Sequence, residues 1–162
     1  MKLEKAAYAE TNMLHPITLD YLEGKSSLNS LYRFEPSFQG LEDALAQRPN
    51  FPIDRELLVS ELQLQYGDSI SPEQANCLNQ LRDENTFTIV TGHQLNLFTG
   101  PLYFVYKIFS VIKMAERLNE AHPDKNIIPV YWMATEDHDF DEINHFHLSQ
   151  SAYRWEDKQK GA

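Results

Sequence analysis

The sequence has a single cysteine, Cys77, so no disulfide framework within the chain can hold it together. Cys77 lies in EQANCLNQL among apolar neighbours and is expected to be a plain buried side chain. Long hydrophobic runs are missing too: none is long enough to span a bilayer. The first ten residues are charged and lack the apolar stretch of a signal peptide. Basic residues are scarce, 14 against 24 acidic ones, which leaves a net charge of −10. That balance argues against nucleic acid or an anionic membrane as a partner, while leaving room for a local basic pocket. No repeat or low-complexity tract appears. Together these absences lead us to expect a soluble, cytoplasmic protein. What remains is globular in character: 42% of residues are hydrophobic, with nine Phe and eight Tyr among 162 residues, enough for one ordinary core.

Residues 1–84 read as a helical segment packing on a core that follows. ITLDYLEG is a short helix closed by Gly24, and GLEDALAQRP a second one stopped before Pro49. Asp54 can cap RELLVSELQLQY, with Gly67 just past its end, and Leu57, Leu58, Glu61, Leu62 and Gln65 define its apolar and polar faces. In SPEQANCLNQLRD, Ser71 and Gln74 form a capping box around Pro72. Nothing in these helices proposes chemistry.

Residues 85–162 differ. TFTIVTG and NIIPVYWMA are continuous apolar runs of strand length. Between them, LYFVYKIFSVIKMAERLNE repeats apolar residues at Phe104, Ile108, Val111, Ala115 and Leu118, a helical spacing that ends before Pro123. Strand, helix, strand predicts a βαβ unit with parallel, doubly buried strands and a right-handed crossover. The expected fold is α/β, a Rossmann-like parallel sheet preceded by a helical N-terminal segment. A further strand is expected around Tyr153 to Trp155.

In such a sheet the loops leaving the carboxyl ends of neighbouring strands open on one edge, where ligands bind. The two loops are TGHQLNLFTGP and TEDHDFDEINHFH, and they should face one another. In the first, Gly92 and Gly100 allow close backbone approach, the start of the next helix offers N–H groups, and His93 and Gln94 add donors. Lys107 could reach a phosphate, or lie along the surface. Neither a GxxxxGK[ST] nor a GxGxxG pattern is present. The second loop supports three readings. Its carboxylates and imidazoles suit a metal, though HxxH and HExxH spacings are missing. Asp137, His138 and Asp139 could instead hold an ammonium group and shuttle protons. Or the stretch is an acidic turn capping a short helix at FDEI, a role that suits Asp141 and Glu142 in any case. His145 and His147 alternate as in a strand.

ENTFTIVTGHQLNLFTGPLYFVYKIFSVI followed by PVYWMATEDHDFDEINHFHL resembles the bacillithiol biosynthesis cysteine-adding enzymes, the BshC family. The pair TGHQLNLFTGPLY and EDHDFDEINH carries the resemblance, and LDYLEG extends it toward the N-terminus. The resemblance implies a cysteine ligase that joins cysteine to the glucosamine amine of glucosaminyl-malate. It implies a core like that of class I aminoacyl-tRNA synthetases, incomplete here, and a homodimer formed through a coiled coil in the full-length protein. By that resemblance ATP is a cosubstrate and no metal is expected. Thr91, Gly92, Gln94, Asn96, Thr99, Gly100 and Glu136 would bind substrate or nucleotide, and His93, Asp137, His138 and Asp139 would be catalytic. The isolated chain is expected to be inactive. No literal HxGH occurs, since GHQ and FTGP occupy that region, and no KMSKS-like loop is present. The rivals are a metal-dependent hydrolase built on EDHDFDE and a non-catalytic interaction module.

Overall fold

The computed structural model describes residues 4–137 and 140–158. The chain divides into two compact units, Met1–Ile53 and Asp54–Ala162. Among the described residues the first holds three α-helices, α1 (Tyr8–Thr11), α2 (Pro16–Leu22) and α3 (Phe38–Gln47). Helix α2 opens on Pro16 and is closed by Gly24 at φ 66°, a left-handed residue that glycine adopts without strain. Helix α3 is capped by Ser37, whose hydroxyl accepts from the Gly40 N–H at 3.0 Å.

The second unit opens with α4 (Arg55–Tyr66) and α5 (Pro72–Gln80). The Asp54 carboxylate caps α4 by accepting the Leu57 N–H at 2.9 Å. At α5 the capping box forms in both directions: Ser71 Oγ accepts from Gln74 N at 3.2 Å, and Gln74 Oε1 accepts from Ser71 N at 2.9 Å. These two helices share a core with the sheet. Val59, Leu78, Leu81 and Ile128 are buried together, with Leu62, Ile70, Cys77 and Val130 packed around them. Two expectations change here. The inward face of α4 runs through Val59 and Leu62, and Leu57 and Leu58 are exposed, because the helix turns Val59 toward Leu78 and Ile128. Cys77 is half-buried at the margin of this cluster rather than enclosed by it.

Strands β1 (Thr86–Gln94) and β2 (Asn126–Ala134) pair in parallel, in register from Thr86 opposite Asn126 to Gln94 opposite Ala134. Helix α6 (Leu102–Ala121) connects them. Its buried residues are Val111, Ala115 and Leu118, with Phe104 and Ile108 half-buried, the face that the spacing predicts. Near its end, Asn119 clasps β2: its amide donates to the Ile127 carbonyl at 3.0 Å and accepts the Ile127 N–H at 2.8 Å.

The strands are buried less than expected. Phe87, Ile127 and Ile128 are enclosed, but Val90, Trp132 and Met133 are more than half exposed. Side chains alternate faces along a strand, so Ile128, Val130 and Trp132 share one. Helices α4 and α5 cover that face at Ile128 and Val130 and leave Trp132 open. The parallel sheet has two strands among the described residues. The strand expected at 153–155 runs instead from Ser151 to Arg154 as β4. It pairs antiparallel with β3 (His145–Leu148) in a separate hairpin, after the short helix α7 (Phe140–Ile143). Ser149, at φ 55°, turns that hairpin tightly enough to keep β4 beside β3. Among the described residues no helix is long and apolar enough to cross a membrane.

Candidate functional site

The segment after β1 begins two residues later than its sequence suggests, because His93 and Gln94 complete the strand opposite Met133 and Ala134. A single 3₁₀ turn (Leu97–Thr99) follows, and Gly100 and Pro101 lead into α6. Phe98 holds left-handed backbone angles, φ 49° and ψ 46°, which cost a bulky residue about 1–2 kcal/mol. That strain presents the Phe98 ring outward, edge-on to Phe146 of β3 with centroids 4.9 Å apart. The two segments predicted to face one another therefore do. They enclose a cavity of about 760 Å³ lined by Asn96, Phe98 and Gly100 on one side and His145, Phe146 and His147 on the other. A smaller recess of about 390 Å³ lies between Leu95, Asn96, Phe140 and Trp155. The imidazoles of His145 and His147 are edge-to-face at 5.6 Å.

At the base of the first segment lies a hydrogen-bonded group centred on His93. The Asn96 amide nitrogen is 2.9 Å from both His93 Nδ1 and the Gln94 carbonyl. On its other side, His93 Nε2 meets the Tyr103 hydroxyl, and the two rings lie 5.1 Å apart. The Tyr131 hydroxyl donates to the His93 carbonyl at 3.2 Å, and burial pushes the Tyr131 phenol above its ordinary pKa. Lys107 bends back to donate to the Gly92 carbonyl at 2.5 Å, neither extended toward an anion nor lying along the surface.

The two glycines are needed by the fold itself. A Cβ at Gly92 would lie 2.8 Å from the Trp132 carbonyl oxygen across the ladder. One at Gly100, at φ 61°, would lie 2.6 Å from Asn96 Cγ. The room that the sequence reading reserved for a ligand at these positions is filled by the protein's own atoms. Thr91 lies inside β1, one residue before Gly92, and the Thr99 backbone closes the 3₁₀ turn.

In the second segment, Glu136 and Asp137 are exposed in a bend after β2 and do not line the cavity. His138 and Asp139, expected to be catalytic, lie outside the described residues. Asp141 pairs with Arg154 at 3.2 Å, tying α7 to the hairpin, and the Trp155 N–H donates to the Asn144 carbonyl at 2.7 Å. Among the described residues no group of three or more His, Cys, Asp or Glu side chains could hold a metal ion. Sequence reasoning missed Tyr103, Tyr131 and the cavity wall at Phe98 and Phe146. The signal for Tyr103 was available: it stands in the first turn of a helix that starts beside His93.

Residues 1–162 match the family described as "Bacillithiol biosynthesis BshC, N-terminal Rossmann-like domain". A protein of Cytophaga hutchinsonii named "Putative cysteine ligase BshC" is 42% identical over 161 residues, 99% of this chain and 31% of its own length. A protein of Flavobacterium johnsoniae with the same name is 43% identical over 164 residues, 99% of this chain and 31% of its own length. One of Bacillus thuringiensis, again so named, is 37% identical over 141 residues, 83% of this chain and 25% of its own. The chain thus spans about a third or less of the length of the relatives it matches. With a parallel βαβ unit, two facing segments at its carboxyl edge and this likeness over its whole length, the chain belongs to the BshC family, in its Rossmann-like domain.

Proposed function

We propose that the protein carrying this chain joins the carboxyl group of cysteine to the amine of glucosaminyl-malate, forming an amide. One observation supports this most: in a BshC-family chain, the Asn96–Gly100 segment and the hairpin at His145–His147 enclose one cavity at the carboxyl edge of β1 and β2. A doubly wound sheet places its substrates there.

Amide formation needs an activated carboxyl and a neutral amine. ATP, as a substrate, would supply the activation. The residues fit an anionic group in one respect: α6 is twenty residues long and begins with no side-chain cap, so its first turn can receive negative charge. Nothing in the described residues selects adenosine. His138 and Asp139 would serve the amine and hydroxyls of the sugar, and one of them would take the proton that the amine loses on attack. The cytoplasm is the compartment that suits this chemistry, and a homodimer is the proposed state of the full-length protein.

Titration calorimetry of the full-length protein with glucosaminyl-malate, cysteine and ATP tests the reading. Binding of glucosaminyl-malate is expected, and His138→Ala should lower the rate of amide formation about 10²-fold or more without lowering the melting temperature. Binding of a divalent metal ion with no response to any of the three substrates would replace this reading with a metal-dependent hydrolase.

A further inference from the structure

The hydrogen bonds around His93 bear on which of its nitrogens carries the proton. The Gln94 carbonyl can only accept, so the Asn96 group 2.9 Å from it must be the NH₂ end of the amide. That nitrogen has a second hydrogen, and His93 Nδ1 lies 2.9 Å away to receive it. Nδ1 is also 3.1 Å from the Gln94 carbonyl, to which it would donate in the other tautomer. With Nδ1 as the acceptor of that amide hydrogen, neutral His93 carries its proton on Nε2. Nε2–H then donates to the Tyr103 hydroxyl oxygen, its partner on that side. The Tyr103 oxygen has its own hydrogen left over, and His93 cannot accept it.

From this we propose, building on the ligase reading above, that Tyr103 is the residue that meets the substrate and His93 is a positioning residue behind it. The Tyr103 O–H donates to an oxygen of the cysteine carboxyl group, and most strongly to the oxyanion that develops there when the amine attacks. Its proton stays on the phenol throughout. Tyr103 is half exposed at the first turn of α6, where the helix dipole also favours negative charge. Asn96 sets the direction of the relay, and Gly100 keeps Asn96 in place because any side chain there would strike it. Phe104, edge-on to the imidazole at 6.0 Å, limits its rotation.

The test uses the full-length protein labelled with ¹⁵N-histidine, the His93 signals being assigned by difference from His93→Gln. The expected spectrum shows Nε2 protonated and Nδ1 bare. Asn96→Asp replaces the donor by an acceptor and should move the proton to Nδ1. Nε2 then accepts from Tyr103, whose hydrogen turns inward. In the ligase assay, Tyr103→Phe, which keeps the ring, should lower kcat about 10²-fold with KM changed little. Asn96→Asp should cost a similar factor, and the double variant no more than either alone. A proton on Nδ1 in the unsubstituted protein overturns the proposal. So does a Tyr103→Phe enzyme with undiminished kcat, or a double variant whose losses multiply. If the unsubstituted protein shows no ligase turnover, the ligase reading falls by itself; the nitrogen spectra of the unsubstituted protein and of Asn96→Asp then decide whether the relay stands.

Discussion

Phe98 and Phe146 meet edge to face, centroids 4.9 Å apart at 74°, and join the segment after β1 to the hairpin that follows β2. The two residues are 48 positions apart in the chain, and each of their segments walls one side of the same cavity. An aromatic pair of this geometry contributes about 0.5–1.5 kcal/mol beyond its buried area. In a double-mutant cycle of Phe98→Leu and Phe146→Leu, the coupling energy read from urea denaturation should be about 1 kcal/mol. Additive losses would mean that the rings touch without holding the segments together.

Arg55 is a second tie. Its guanidinium donates to the carbonyls of Leu81 at 2.8 Å, Glu84 at 3.2 Å and Thr86 at 3.1 Å, binding the start of α4 to the end of α5 and the first residue of β1. Arg55→Ala should destabilise the protein by about 2–3 kcal/mol, because charged hydrogen bonds are lost and carbonyls are left unpaired. Arg55→Lys should recover less than half, since one ammonium cannot reach three carbonyls spread along the chain. The shift of the urea midpoint measures both.

Asn119 faces both polar groups of Ile127, as a strand residue would. Asn119→Asp keeps the acceptor and turns the donor into a second acceptor opposite the Ile127 carbonyl. We expect it to cost more than Asn119→Ala, on the order of 2 kcal/mol, and calorimetric melting compares the two. Equal losses would show that water replaces the missing donor.

Tyr131 carries the pH prediction. Burial raises its phenol pKa in the folded state, so the folded protein holds that proton more tightly than the unfolded chain does. Its contribution to stability is complete below the ordinary tyrosine pKa of about 10 and is lost as pH rises through the higher folded value. The ultraviolet titration of the native protein should contain a phenol that ionises above the ordinary tyrosine pKa of about 10. Tyr131→Phe should remove that phase and cost about 1 kcal/mol through the lost bond to the His93 carbonyl.

Much of this architecture is local and was legible as local code. The Ser71–Gln74 capping box, the Asp54 cap, the stop at Gly24 and the inward face of α6 each follow from residues within four positions of one another. The parallel pairing followed from two apolar runs on either side of a helix. What escaped depends on contacts distant in sequence. Arg55 reaches 31 residues forward to Thr86, and nothing in RELLVSEL marks that reach. The rotation of α4, which buries Val59 and exposes Leu57, is decided by where Ile128 arrives. The candidate site divides the same way. Its two segments could be placed at one edge from topology, but the His93–Tyr103 partnership forms across a left-handed turn at Phe98, which no aromatic residue advertises.

The close fit of Gly92 against Trp132 has a consequence for distance. Parallel strands can slide past one another by whole residues, each step moving the carboxyl end of one by about 3.3 Å relative to its neighbour. A side chain at position 92 would be driven off the Trp132 carbonyl. Only one alignment puts Gly92 there. The missing side chain acts as an index notch, holding the ends of β1 and β2 level, so the span between the two cavity walls is set in the ladder several residues before either wall begins.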